Sequence, residues 1–477
     1  MIDRFAESLG VRSSQLSVFG IGPAGENLVR FAAFVGDRGH VGGHNGTGAV
    51  MGSKRLKAIV VQRSQTGVEV HDAEALTQVA QTIFDRKNPE GSYRWGTLRG
   101  VARGVDSYGW LPIKNYTTNI WDILPEELEK WDGPYIQEHY DPKRHSCWAC
   151  RFTHCTQMTI PDGPRGGFVG EEPEYEQFAA FGPVIDNKDP REAFFLANQC
   201  DRLGFENNEM GWLIALVMEC YEKGILAKEQ LDGLEMTWGN TEAAYQLMLR
   251  IAHRKGFGDI LAEGVMRAAE RIGGEAPNMA IHTMKGNTPR GHDHRARWLE
   301  MFDTSVSDTG TMEIGPMFNM PRDTLAALGA EPLGESFDPE RIVDLAVRTH
   351  GAMLFEDSLG VCRFNTQTDV VHLVQAVNAA TGWDMTIEEA LNAGRRAMHL
   401  LRAFNLRQRV SPERDRPSPR YGSTPVDGPA EGRSIQPYWD KMVHDYYTGI
   451  GWDERGVPRR ETLEKLGLGY VADDLDL

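Results

Sequence analysis

The chain has 477 residues, enough for about three domains and a sizeable core. Its 68 acidic residues against 51 basic ones give a net charge of −17 with no offsetting Lys/Arg block, which excludes a general nucleic-acid or anionic-membrane binder. No apolar run is long enough for a membrane span. The opening Met1-Ile-Asp-Arg-Phe-Ala-Glu lacks the basic and then apolar regions of a secretory signal, so a reducing cytoplasm is the expected location.

In chain order, Leu16-Ser-Val-Phe-Gly20-Ile-Gly22-Pro-Ala-Gly25 reads as a strand entering a glycine turn and contains Gly-x-Gly-x-x-Gly. A dinucleotide fold is not expected, because the acidic residue required about twenty positions on is replaced by a second glycine-rich loop, residues 36–48. That loop also fails as a Walker A, since Gly52 precedes Ser53-Lys54. Both loops either offer backbone N–H groups to an anion or are plain tight turns between strands. Leu56-Lys-Ala-Ile-Val-Val-Gln62 reads as a buried strand, followed by a polar boundary at Arg63.

From Asp72 the pattern turns helical, with Asp72 as an N-cap. Residues 91–140 are rich in Trp, Tyr, Gly and Pro and read as ordered loops with short helices. Then come three thiols in eleven residues, His145-Ser-Cys147-Trp-Ala-Cys150-Arg-Phe-Thr-His154-Cys155. Sulfur this dense suits a soft metal. Two readings stay open: a zinc knuckle closed by His145 or His154, or an iron-sulfur cluster whose fourth thiolate comes from elsewhere, with Cys362 the best placed. Disulfides are not expected, since Cys200 and Cys220 sit in apolar helical text.

Glu171, Glu172, Glu174 and Glu176 follow as an acidic cluster, either a solvated turn or a group in which one inward carboxyl has a raised pKa. Helices are expected from Asp189-Pro190 to a stop at Gly204, over 210–223 and over 241–255. In Arg290-Gly291-His292-Asp293-His294, His-x-His on an extended segment puts both rings on one face. This suits metal ligation, a proton relay, or a salt-bridged loop with the rings bonded to Asp293 or Glu300. Further helices are expected over 339–354, 369–381 and 386–405, the last opening with a Thr386/Glu389 capping box, and 411–436 reads as a long surface connection able to close over a site.

Asp201-Arg-Leu-Gly204-Phe-Glu206 and Asp357-Ser-Leu-Gly-Val-Cys362 echo each other. Together with the cysteine loop, Glu174-Tyr175-Glu176, Gly22-Pro-Ala-Gly-Glu-Asn27 and Gly48-Ala-Val-Met-Gly-Ser-Lys54, all in order, they make a set that resembles the tungsten-dependent aldehyde:ferredoxin oxidoreductase family nearly end to end. The resemblance implies an α+β fold: the remnant of a β-rich pterin-binding domain over 1–64, a helical domain with the cluster loop over 65–268, and a C-terminal helical domain with Cys362 over 269–477. It implies a tungsten (or molybdenum) bis-pterin, a magnesium ion bridging the pterin phosphates, and a 4Fe-4S cluster on Cys147, Cys150, Cys155 and Cys362. Asp201 and Asp357 would each bond one donor-rich pterin edge, with Phe205, Glu206, Val361 and Arg363 completing those pockets. His44, Asn45 and Gly46 would meet the phosphates, Arg290 and Gly291 a third contact, and Glu176 would be the pocket glutamate.

Several positions depart from the family pattern. The loop has four residues between Cys150 and Cys155 where three are commoner, and His44 replaces an arginine. Phe195 and Asn198 stand where some members carry an interfacial iron site, so no such iron is expected. The family's pocket histidine does not align cleanly: His292, His294 or neither takes its place. The chain begins inside the family's first domain, which implies that another polypeptide or an upstream segment supplies the rest of the pterin site. The implied activity is oxidation of a small aldehyde to a carboxylic acid, with electrons passing to ferredoxin or another electron-transfer protein; a homodimer is a further partner option. The C-terminal Glu461-Thr-Leu-Glu-Lys-Leu-Gly-Leu-Gly-Tyr470 also resembles the tungsten subunit of benzoyl-CoA type reductases. A non-catalytic, cluster-bearing electron-transfer subunit is the third option.

Overall fold

The computed structural model describes residues 1–477 apart from 38, 65, 88–90, 106, 154, 312, 314–319 and 335. Four strands, β1 (Leu16–Ile21), β2 (Phe34–Gly36), β3 (His40–Gly42) and β4 (Ala58–Gln62), form an antiparallel sheet in the order β3-β2-β1-β4. Central β1 buries alternate residues, Leu16 and Val18, as a half-covered strand must. Edge strand β4 does not match the expected buried strand: Ile59 and Val61 are 53% and 55% exposed. A short apolar run fixes strand propensity but not which faces are covered.

Antiparallel pairing also rules out the dinucleotide fold, whose sheet is parallel. The glycines serve close backbone approach instead. A Cβ on Gly22 would lie 2.4 Å from the Leu203 carbonyl oxygen, and one on Gly48 2.3 Å from that of Ala33. The short helices Pro23–Glu26 and Thr47–Ser53 pack through these contacts, and a lone β-bridge, Ala32 to Phe205, ties the sheet to the helical body.

A second antiparallel sheet, β5 (Lys143–Arg144), β6 (Thr156–Thr159) and β7 (Val169–Glu171), holds the cysteine loop. Arg144 pairs with Thr156, and the His145 N–H donates to the Cys155 carbonyl at 3.0 Å, so residues 145–155 close a hairpin. β7 then delivers the acidic cluster beside it.

The expected helices form with small boundary shifts. Pro190–Leu203 is capped by Asp189 and stopped by left-handed Gly204; Asn207–Glu222 is buried through its middle; Val370–Thr381 is capped by Asp369, and Ile387–Arg407 opens with the Thr386/Glu389 box. The single helix expected over 339–354 is two, Pro339–Arg348 and Ala352–Ser358, divided at Gly351 (φ 93°). The second of these runs directly to Asp357 and Cys362. Residues 411–436 are not merely a surface connection: Asp415, Ser418, Tyr421 and Ile435 are buried. One apolar core runs from Ala24 to Trp452. Among the described residues, no helix is long and apolar enough to cross a membrane.

Candidate functional site

The four thiols converge. Sγ of Cys147 and Cys155 and a ring nitrogen of His40 all lie within 4.8 Å of one another. Cys362 is within electrostatic reach of Cys150 and Cys147, and Asn365, one turn beyond Cys362, donates to Cys150 Sγ at 3.6 Å. The hairpin supplies three sulfurs and the turn after Ala352–Ser358 the fourth, an all-thiol donor set that fits an iron-sulfur cube. The zinc alternative loses its expected closer: His145 Nε2 is 3.2 Å from the Asp37 carbonyl, and His154 lies outside the described residues. Among the described residues the imidazole nearest the thiols is His40, which the sequence did not single out. The Cys147 sulfur at 3.6 Å, and then Glu171 at 3.4 Å, hold His40 up at a pKa of about 9 against the effect of burial.

Behind Cys155 opens a cavity of about 390 Å³, lined by His44, Glu176, Asp201, Glu206 and Arg290 among others. It is acidic on one wall, so the solvated-turn reading fails for part of the cluster: Glu172 is buried, and burial holds its carboxyl well above the usual range. Burial likewise raises Glu176, opposed by Arg290, whose Nη1 is 3.7 Å from Glu176 Oε1. Asp201 is pushed up to about 8 by burial, and Gln177 Nε2 donates to both its oxygens at 2.9 Å. The short helix Tyr175–Ala180 therefore carries both the cavity glutamate and the group that fixes Asp201. Glu206 uses its carboxylate to cap Asn207–Glu222, accepting from the Asn208 and Glu209 N–H groups. Phe205 is buried and stacks on Phe31 at 5.5 Å.

His44 and Glu206 also line a second cavity, of about 630 Å³, with Asn45, Gly46, Arg267 and Lys285. His44, Asn45 and Gly46 are three successive left-handed residues, and a Cβ on Gly46 would meet the Arg30 carbonyl oxygen at 2.1 Å, so only glycine fits the last of them.

His292 and His294 do converge, on Glu300 rather than on Asp293. His292 Nδ1 and His294 Nε2 are 2.9 and 3.0 Å from Glu300 Oε2, Arg290 Nη2 is 3.0 Å from the same oxygen, and Arg297 Nη1 is 2.8 Å from Oε1. Asp293 is engaged by Arg295 and Asn119. Burial raises the Glu300 carboxyl, but Arg297, His292 and Arg290 outweigh it and hold the group well below the carboxylate range; burial pushes His292 down to about 3 and lowers His294. Both rings sit behind Arg290 and Tyr175, the His292 ring stacking on Tyr175 at 4.8 Å, and neither lines the 390 Å³ cavity. Gly291 allows this packing, since a Cβ there would lie 3.0 Å from the Glu176 carbonyl oxygen.

Asp357, Val361 and Arg363 line neither cavity. Asp357 is 53% exposed and accepts from Arg363 Nη2 at 2.7 Å, while Arg363 Nε donates to buried Glu356 at 2.9 Å.

The molecule thus places a sulfur set against a cavity holding a buried acid and an arginine. The model for the aldehyde ferredoxin oxidoreductase N-terminal domain matches residues 1–63, and that for domains 2 and 3 matches residues 74–468. The chain is 32% identical over 477 residues to the tungsten-containing aldehyde ferredoxin oxidoreductase of Pyrococcus furiosus, covering 96% of this chain and 74% of that one. It is 30% identical over 474 residues to the WOR-like subunit of the aliphatic sulfonate oxidoreductase of the same organism, covering 95% and 70%. The fold is shared, at a TM-score of 0.79 and 21% identity, with the active-site complex of benzoyl coenzyme A reductase solved with 1,5-dienoyl-CoA, covering 99% of this chain and 76% of that one. On its sequence, the chain belongs to the aldehyde ferredoxin oxidoreductase family of oxidoreductases.

Proposed function

We propose that the chain oxidises an aldehyde to a carboxylic acid at a bis-pterin tungsten centre in the 390 Å³ cavity, with electrons leaving by a 4Fe-4S cluster to ferredoxin. The observation that carries this reading is the convergence of Cys362 with the three hairpin thiols at the wall of a cavity holding Glu176, Asp201 and Arg290. All-thiol donors fit the cluster, and the aspartate-centred turn 201–206 and loop 44–46 fit one pterin edge and its phosphate, while Asp357, the carboxylate expected for the second pterin, lines neither cavity. When bound, the metal supplies a Lewis acid and a two-electron acceptor, and the cluster a one-electron relay.

In the net reaction, water gives the new C–O bond, the aldehyde C–H bond breaks, and two electrons and two protons leave. Glu176 takes a proton from water or substrate, and burial suits it to exchange a proton nearer neutrality than an exposed glutamate would. Arg290, beside it and anchored on Glu300, favours the ionised form that accepts that proton. Gln177 holds both oxygens of Asp201 at the cavity wall, where that carboxyl would meet a pterin edge. Glu176→Gln should lower kcat for aldehyde-dependent viologen reduction by about 10²–10⁴-fold at unchanged tungsten content. Retained activity in that variant, or wild-type protein free of tungsten, molybdenum and pterin, would count against the reading.

A second reading, reduction of a CoA thioester, is favoured by the fold shared with the benzoyl coenzyme A reductase complex and by Arg267 in the wall of the 630 Å³ cavity, which suits a phosphate-bearing ligand. Thioester and aldehyde assays run with the same dye separate the two.

A further inference from the structure

We propose that the outer face of the cysteine hairpin, centred on Trp148 and rimmed by basic side chains, is the docking surface for an acidic electron-transfer protein. This rests on the cluster reading above.

Trp148 lies between Cys147 and Cys150 and is 71% exposed; beside it Cys147 and Cys362 reach the surface and Val361 is 40% exposed. Tryptophan is ordinarily well buried, and an uncovered one amid smaller apolar groups is the kind of anchor that dominates protein interfaces. The rim is basic although the protein is strongly acidic. Residues 143–151 carry Lys143, Arg144 and Arg151 and no acid, and residues 85–106 carry Arg86, Lys87, Arg94, Arg99 and Arg103 against Asp85, Glu90 and Asp106.

The two segments touch. Tyr93 meets Phe152 edge-on at 5.5 Å, Arg151 lies 4.2 Å over the Phe84 ring, and Lys87 lies 3.1 Å over it from its own side. Arg86 and Arg99 are neutralised by Asp323, Asp369 and Asp132, and Lys143 has Asp141 at 3.1 Å. Arg151, by contrast, donates to neutral Gln81, and Arg144 to the Tyr93 and Thr153 carbonyls, so these bonds leave both charges in place. A concentrated positive rim around a redox centre attracts an acidic carrier and orients its approach. A second copy meeting this face about a two-fold axis would set like charges against each other.

The test uses anaerobically prepared holoenzyme, reduced with dithionite and mixed by stopped flow with an oxidised acidic ferredoxin, or with methyl viologen as a small acceptor. Arg144→Glu/Arg151→Glu should slow transfer to ferredoxin by about tenfold or more at low salt, with the gap closing in high salt, and leave the viologen rate within about twofold. Trp148→Ala should slow the ferredoxin reaction at every salt concentration. For the unmodified enzyme, a ferredoxin rate indifferent to salt overturns the proposal, as does a charge-reversed variant that matches it, or a change of oligomeric state on losing Trp148. Iron and sulfide are measured on each sample, so a chain without them refutes the cluster reading rather than the surface.

Discussion

Glu300 is the residue on which the inner site turns. Two arginines and two histidines meet its one carboxylate, all of them largely shielded from water. Deleting one partner of a buried charge cluster leaves the others uncompensated, so Glu300→Gln should cost about 3–5 kcal/mol in denaturant unfolding, far more than a surface Glu→Gln change. Asp201 makes a pH prediction. Its folded pKa, about 8, stands above the unfolded value, so the stability it contributes is fully present below the unfolded value near 4 and is lost as pH rises through 8. His292 runs oppositely: depressed to about 3, it contributes stability above the unfolded value near 6.5, which is lost as pH falls towards 3. For the cofactor-free protein, Asp201→Asn should flatten the decline of unfolding free energy between pH 5 and 8 by up to about 1.4 kcal/mol per pH unit. An unchanged slope would mean that Asp201 is ionised throughout.

Among elements, the glycine loops make the strongest demand on sequence. Gly48 sits where any Cβ would press on the Ala33 carbonyl, whereas a Cβ at Gly10 would meet nothing within 4 Å. Gly48→Ala should therefore destabilise by about 1–3 kcal/mol or more, and Gly10→Ala, at φ 65°, by only about 1 kcal/mol, read from thermal or denaturant unfolding. Losing the Thr386 cap by Thr386→Ala should cost about 1 kcal/mol. These devices were legible because caps and glycine turns are written in local spacing. What β4 exposes was not, since an apolar run does not say what lies against it. The break at Gly351 was missed because the apolar stripe continues across it. His40 and Gln177 carried no signal: each gains its role only when β3 or the helix Tyr175–Ala180 is brought to a distant partner.

At the scale of the whole molecule, two segments separated by two hundred residues meet at the thiols. Spacing alone leaves zinc and a cluster both open, with Cys362 the best-placed fourth thiolate, and the structure brings Cys362 within electrostatic reach of Cys147 and Cys150. The family resemblance puts both aspartates around one cofactor, yet Asp201 lines the cavity while Asp357 does not and is half-exposed, paired with Arg363. The measurement that bears most directly on the account is iron and acid-labile sulfide, with zinc, in anaerobically purified wild type and in Cys362→Ser. The account predicts about four iron and about four sulfide per chain in the wild type, with sulfide lost or sharply reduced in the variant. A single zinc, no sulfide, and no response to removing Cys362 would contradict it.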